Sequence, residues 1–271
     1  MPRLIIILAA CVAALAWVVV PAYAATICTL VADPVNRTVL LAEGDCETRV
    51  TPASTFKLPL AVMAFDAGII MSPREPVYPF KQGYSDWIAS WRQDTDPTMW
   101  MHNSNVWYSQ RLTEQLGMEK LVAYARAFGL GNADFSGDPG RDNGLVRSWI
   151  SSSLKISPLE QAGFVAALVQ RQLPVSPRAM EGALSLLENP GQAAGWAIWG
   201  KTGSAYPRNA DYSFNYARGW GWYVGWAEKD GERVVFVRLN QDERRHEVTG
   251  GLRAREEFVD QWPMIAERAG L

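Results

Sequence analysis

A serine and a lysine stand three residues apart in the stretch PASTFK, which ends at Lys57 and precedes the apolar run LPLAVMAF. If the stretch is helical, Ser54 and Lys57 share one face and lie within reach of each other. A serine alcohol and a lysine ammonium are both poor catalysts at neutral pH, so each needs an activating environment. The alternative is a helix whose first turn is capped by Ser54 while Lys57 is solvated. The pair alone leaves both interpretations open.

The base that would activate the serine has to be a residue other than histidine. The chain has two histidines, His102 and His246, and neither stands in a Ser-His-Asp context. Lys57 is the candidate in place, yet at an unperturbed pKa of ~10.4 only about one lysine in ~2,500 is neutral at pH 7. Burial would lower that pKa by favouring the uncharged amine. The apolar residues expected to form the wall are Phe56, Val106, Trp149 and Ile150.

Two further short motifs follow along the chain. They are Ser104-Asn105-Val106 and Lys201-Thr202-Gly203. Each motif by itself is weak, because such residues occur together by chance in many chains. Ser104 has an alternative, purely structural role as the cap of the helix that follows it. In this order, with the first motif opening a buried helix and the third on a strand, the three match serine acyl-transferases that act on β-lactams.

The chain resembles the class D β-lactamases, or oxacillinases, over nearly its whole mature length. PASTFK matches their nucleophile motif, and S-N-V stands where they carry S-x-V. Leu130-Gly131-Asn132 falls where they usually have Y-G-N, with leucine in place of the tyrosine. Trp149-Ile150 with SSLKISPLEQ resembles their W-L segment, and GWYVGW follows K-T-G at their spacing. Arg255, in GLRAREEF, falls where they have a substrate-carboxylate arginine, with Arg253 as the alternative.

The resemblance implies a catalytic role for four residues. Ser54 would be the nucleophile, and Lys57 would carry carbon dioxide as N6-carboxylysine and act as general base in acylation and deacylation. Ser104 would relay a proton towards the leaving lactam nitrogen. Lys201 would supply positive charge near that nitrogen. No metal and no other cofactor is implied.

The resemblance also implies a set of residues that bind the substrate. Thr202 and Arg255 would hold its carboxylate, the arginine in a bidentate manner. Backbone N–H groups of Ser54 and of a residue just after Gly203, either Ser204 or Ala205, would form the oxyanion hole. The substrate-binding residues are thus Val106, Trp149, Thr202, Gly203, Ser204 and Arg255.

The expected function is hydrolysis of penicillin-type antibiotics through a serine acyl-enzyme, and hence antibiotic resistance. One alternative is a penicillin-binding D-Ala-D-Ala peptidase or transpeptidase, which shares the motifs and deacylates slowly. Another is a non-enzymatic β-lactam sensor domain. Sensors of that type follow a multi-span membrane segment, whereas only 24 residues of signal precede this domain.

Hydrophobic patterning predicts the elements that must position these residues. An N-terminal hairpin, several helices, three apolar strands and a C-terminal helix follow in order, which indicates an α+β fold of two intergrown parts. The resemblance specifies a serine β-lactamase or transpeptidase-like antiparallel sheet flanked by helices, with a helical subdomain. We expect one domain over 25–271, with its α/β part at about 25–50 and 190–271 and its helical part at about 70–185.

The N-terminus and the charge indicate where the protein acts. One basic residue, an apolar run from Leu4 to Val20 and Ala22-Tyr23-Ala24 form the pattern of a signal peptide over 1–24. Cleavage near Ala24 removes Cys11 and leaves Cys28 and Cys46, which predicts one disulfide in a periplasmic or secreted protein. The net charge of −2 without a basic stripe argues against nucleic acid. We expect a monomer or homodimer without stable membrane association after cleavage.

Overall fold

The computed structural model describes residues 25–187 and 190–271. The signal peptide predicted for 1–24, with its cleavage near Ala24, lies outside the described residues. None of the helices within the described ranges combines the length and apolar character needed to cross a bilayer.

One antiparallel sheet of six strands forms the centre of the described chain, in the order β2-β1-β6-β5-β4-β3. The strands are β1 (Ala25–Ala32), β2 (Val39–Gly44), β3 (Gly191–Ala193), β4 (Trp196–Ala205), β5 (Trp220–Lys229) and β6 (Glu232–Gln241). The three apolar segments predicted as strands are β4, β5 and β6. The first and last parts of the chain therefore meet, because β1 pairs with β6.

Helices cover both faces of this sheet. They are α1 (Lys57–Asp66), α2 (Pro97–His102), α3 (Val106–Ala127), α4 (Gly144–Arg147), α5 (Pro158–Val169), α6 (Pro177–Ser185) and α7 (Gly250–Ala269). Helix α7 packs an aromatic cluster that includes Phe258 and Trp262 against Phe236 of β6. The larger core lies between the other face and the helices that come from the stretch between β2 and β3. The predicted α+β architecture is confirmed.

Local sequence signals set the helix boundaries that matter for the site. Ser157 and Glu160 form the predicted capping box at the start of α5. Ser176 caps α6 by accepting from the backbone N–H of Ala179. Two helices were predicted, one on either side of Gly117, and both lie within α3. A kink separates them, because Gly117 has φ 75°, outside the helical region. Glycine acts as the predicted stop.

A disulfide joins the two ends of the N-terminal hairpin. Cys28 lies in β1 opposite Gly44 of β2, and Cys46 follows two residues later, so the sulfur atoms meet as predicted. Both cysteines are buried in the larger core. The bond links β1 to the segment that follows the edge strand β2.

Removal of this disulfide should lower the free energy of unfolding. The bond closes a loop with a sequence separation of 18, for which loop-closure entropy corresponds to about 3 kcal/mol. We expect Cys28→Ala/Cys46→Ala to lose stability of that order in guanidinium titrations. Wild-type protein treated with a reductant is the control and should lose a similar amount. An unchanged midpoint in both samples would contradict a stabilising role.

Candidate active site

Ser54 lies in a short 3-10 turn, Ala53–Phe56, immediately before α1. The backbone carbonyl of Trp149 holds the start of this turn, accepting from the N–H of Ala53 at 3.0 Å and from Oγ1 of Thr51 at 2.9 Å. Gln161, buried on α5, donates to Thr55 Oγ1 at 2.9 Å. The side chain of Ser54 makes no capping hydrogen bond to α1 or to the turn. The alternative role of Ser54 as a helix cap is therefore wrong.

Lys57 is the first residue of α1 and has 1% of its surface exposed. Its Nζ donates to Ser54 Oγ at 3.3 Å. Burial lowers the pKa of Lys57 well below its ordinary value, and the nearby charge of Lys201 lowers it further. The alternative of a solvated lysine is wrong, since the structure instead favours a neutral amine beside a serine hydroxyl.

Aromatic side chains form the wall next to the turn. Phe56 stacks on Trp149 with ring centroids 5.3 Å apart and tilts against Phe135 at 5.8 Å. Val106, at the start of α3, is 4% exposed and lines the cavity at Ser54. The sequence predicted Phe56, Val106, Trp149 and Ile150 for this wall, and Ile150 is partly buried and lines the same cavity. It missed Phe135. No local pattern could have found Phe135, because it reaches the wall only through the tertiary fold.

Ser104 and Lys201 form a second serine–lysine pair across the cleft. Lys201 Nζ donates to Ser104 Oγ at 3.0 Å and to the carbonyl oxygen of Thr202 at 3.1 Å. Burial lowers the pKa of Lys201 to about 7, and the charge of Arg255 contributes. Lys201 therefore exchanges its proton near neutral pH and is suited to pass it through the Ser104 hydroxyl.

Ser104 contacts Lys201 through its side chain and does not cap the next helix. Ser104 has φ 55°, in the left-handed region, which costs a non-glycine residue on the order of 1 kcal/mol. The cap of α3 is its neighbour Asn105, whose side chain accepts from the N–H of Tyr108 at 3.1 Å. The alternative role of Ser104 as the cap is therefore wrong.

Glycine at position 203 allows β4 to lie directly against the Ser54 turn. A Cβ atom there would stand 2.8 Å from the carbonyl oxygen of Pro52 and 3.1 Å from the backbone nitrogen of Thr55. Side chains alternate along a strand, so Thr202 and Ser204 point to the other face, towards α7. Ser204 Oγ accepts from the N–H of Gly251 in α7 at 2.8 Å.

Two adjoining cavities meet at β4. One, of about 710 Å³, is lined by Ser54, Ser104, Val106 and Thr202 among others. The other, of about 960 Å³, is lined by Lys201, Thr202 and Arg255 among others. Thr202 lines both, so the cavity at Ser54 adjoins the cavity of Arg255. The structure thus brings together all of the residues predicted for catalysis.

The two candidate arginines of α7 have different surroundings. Arg253 pairs with Asp242, with Nη2 and Oδ1 2.5 Å apart, and its Nε donates to the carbonyl oxygen of Val248 at 3.1 Å. Arg255 faces the cavity that contains Lys201 and Thr202. This arrangement favours Arg255 over Arg253 as the cation that meets a substrate.

The Leu130-Gly131-Asn132 segment braces a neighbouring loop. Asn132 Nδ2 donates to the carbonyl oxygen of Ser153 at 2.9 Å, and its Oδ1 accepts from the N–H of Lys155 at 3.0 Å. Leu130 is buried in the larger core. Gly131 has φ 57°, and a Cβ there would collide with the backbone of Lys155. The segment positions the loop that follows Trp149 and does not line either cavity.

Metal ligands are not grouped in the part of the chain that the structure describes. No set of three or more His, Cys, Asp or Glu side chains within 25–187 and 190–271 is placed to hold a metal ion.

The chain is similar to known proteins in both sequence and structure. The model of the penicillin binding protein transpeptidase domain matches residues 24–262. The chain is 42% identical to β-lactamase OXA-9 of Klebsiella pneumoniae over 88% of this chain and 87% of that protein. It is 33% identical to β-lactamase OXA-1 of Escherichia coli over 79% and 75%. The crystal structure of the OXA-427 class D β-lactamase superimposes with a TM-score of 0.82 at 42% identity, covering 89% of this chain and 99% of the other.

The lowered pKa of Lys201 predicts that the free energy of unfolding of wild type changes with pH differently from that of a variant without this lysine. The folded lysine loses its proton near pH 7, whereas the unfolded one keeps it up to about 10.5. Between these values the unfolded state binds more protons, so stability rises with pH, by up to about 1.4 kcal/mol per pH unit. We expect wild-type protein to gain stability over this range relative to Lys201→Met, as measured by urea titrations. Parallel pH profiles would contradict the assigned pKa.

Proposed function

Because the chain belongs to the class D β-lactamases, as its motifs and fold indicated, and is a hydrolase, we propose that it hydrolyses the β-lactam amide of penicillin-type antibiotics. This activity would make it an antibiotic-resistance enzyme. The observation that carries the proposal is the buried Lys57 amine, 1% exposed, whose Nζ lies 3.3 Å from Ser54 Oγ. Such a pair supplies a nucleophile with its own base.

The residues of the cleft divide the acylation step between them. Ser54 Oγ forms a bond to the lactam carbonyl carbon while its proton passes to the base at Lys57. The carbon–nitrogen bond of the lactam then breaks. The leaving nitrogen takes a proton from Ser104, which is replenished by Lys201 at 3.0 Å. With a pKa of about 7, Lys201 can give up that proton at neutral pH.

Lys57 fits the carbon dioxide adduct expected at this position. A neutral amine is needed, and burial lowers the pKa of Lys57 well below its ordinary value. When bound as a carbamate, carbon dioxide would supply a carboxylate that accepts the proton of Ser54 in acylation and that of water in deacylation. Between the two steps, the first proton would return to Lys201, which acylation leaves neutral. Phe56, Trp149 and Val106 are buried, and Phe56 stacks on Trp149, so the surroundings of the Ser54 turn are apolar.

The other residues orient the substrate. Thr202 and Arg255 would hold its carboxylate in the cavity they share. The oxyanion would lie between the N–H groups of Ser54 and Ser204. N–H groups alternate along a strand, and that of Tyr206 donates away from the sheet to Ser151 Oγ at 3.3 Å. The N–H of Ser204, two residues earlier, points to the same edge, which favours Ser204 over Ala205.

The setting of the reaction is also part of the proposal. We infer an exported enzyme, periplasmic or secreted, that acts as a monomer or homodimer on a small-molecule β-lactam. Nucleic acid and stable membrane association play no part in it. Carbon dioxide on Lys57 is the one group required besides the polypeptide.

Turnover counting with and without bicarbonate tests the proposed function. Purified protein is mixed with a chromogenic cephalosporin or benzylpenicillin in buffer depleted of carbon dioxide, and then with bicarbonate added. We expect many turnovers per enzyme, at a rate that rises with bicarbonate, because the added carbon dioxide completes the base. A single burst equal to the enzyme concentration would overturn the hydrolase proposal. That result would leave a penicillin-binding peptidase or a sensor.

Two lysine variants test whether the response to bicarbonate comes from Lys57. Lys57→Ala should still bind the β-lactam but lose turnover and no longer respond to bicarbonate, because it lacks the amine. The control is Lys120→Ala, which removes an exposed lysine of α3 and should respond like wild type. Unimpaired turnover by Lys57→Ala would refute Lys57 as the base.

A further inference from the structure

The cavity at Ser54 is lined by a cation that the reaction described above does not use. Arg147, the last residue of α4, lines this cavity with Ile150 and Ser151. Its side chain is 22% exposed, so a ligand in the cavity can reach it while bulk water screens it only in part. An arginine keeps its charge at any pH at which the enzyme works.

The charge of Arg147 is only partly balanced. Its ion-pair partner is Asp138, but Nε and Oδ2 stand 3.9 Å apart, which is too far for a hydrogen bond. Arg208 Nη2 lies at the same distance from the other oxygen, Oδ1. Oδ2, the oxygen that faces Arg147, already accepts from Asn143 Nδ2 at 3.1 Å. Two guanidinium groups thus share one carboxylate, and the cluster retains a net positive charge beside the cavity.

The place of Arg147 in the cleft points to one part of the substrate. A penicillin carries its carboxylate on the ring next to the lactam nitrogen and its acyl side chain on the other side of the lactam carbonyl. If Thr202 and Arg255 hold the ring carboxylate, the side chain extends away from them. Arg147 does not line the cavity of Arg255, and it borders the Ser54 cavity beside Ile150 and Ser151.

We propose that Arg147 is a specificity-determining residue that binds a second carboxylate, one carried by the acyl side chain of the β-lactam. The inference rests on the proposed hydrolase function and names a substrate class for the same site. A guanidinium presents two parallel donors to a carboxylate, and Asp138 at 3.9 Å leaves those donors available. Substrates with a dianionic character would therefore be favoured.

The rim of the same cavity suits the rest of such a side chain. Trp87 and Ile88 line it and are 59% and 49% exposed. Large apolar side chains left open beside a cavity suit an apolar ligand group. An aryl group bearing a carboxylate on the adjacent carbon would meet both the apolar rim and the cation.

A matched pair of penicillins tests the inference. α-Carboxybenzylpenicillin and benzylpenicillin differ in one carboxylate, so the ratio of their kcat/KM values isolates its contribution. We expect Arg147→Gln to lower this ratio about tenfold, because it removes the cation and keeps a polar side chain. Arg147→Lys should retain most of the ratio. Asp138→Asn should raise it, because the competing carboxylate is gone.

Salt dependence and acylation rates distinguish failure of this inference from failure of the proposed function. The ratio of wild type should fall with added salt, whereas that of Arg147→Gln should change little. Acylation rates from intact mass give the same ratios even if turnover fails, so loss of the hydrolase proposal alone leaves this inference testable. Equal changes for both penicillins in Arg147→Gln would overturn it, and so would an unchanged ratio. A protein that neither penicillin acylates would overturn this inference together with the proposed function.

Discussion

Two lysine amines are buried in one cleft, and the rest of the fold has to offset the cost of their burial. Lys57 and Lys201 are 1% and 5% exposed, and each contacts a serine hydroxyl. A charged amine is costly to bury, so burial lowers the pKa of both lysines below the ordinary value. The fold has to stabilise this arrangement by other contacts, because the amines themselves disfavour it.

Those other contacts come from distant parts of the chain. The Ser54 turn is held by Trp149 and Gln161 from the helical part and lies against Gly203 of the central sheet. The arginine that faces Lys201 comes from the C-terminal helix. The cleft therefore exists only when the sheet, the helical segment and α7 are assembled.

The sequence predicted the elements and the residues that meet, because apolar periodicity, capping signals and three short motifs are local features. It left the roles of Ser54, Ser104 and Lys57 open, since a cap, a solvated lysine and a catalytic pair have the same residue types. Burial excludes a solvated Lys57, and Asn105, as the actual cap of α3, excludes that role for Ser104. Phe135 and Arg147 were missed, because each reaches the cleft through tertiary packing that no local pattern records.

We propose that Lys57 is a neutral amine able to take up carbon dioxide. Carbon-13 NMR of the protein equilibrated with labelled bicarbonate would detect the adduct itself. We expect a carbamate resonance at neutral pH that is present in wild type and in Lys120→Ala but absent from Lys57→Ala. A spectrum of wild type without that resonance, or one in which it persists in Lys57→Ala, would refute carboxylation of Lys57.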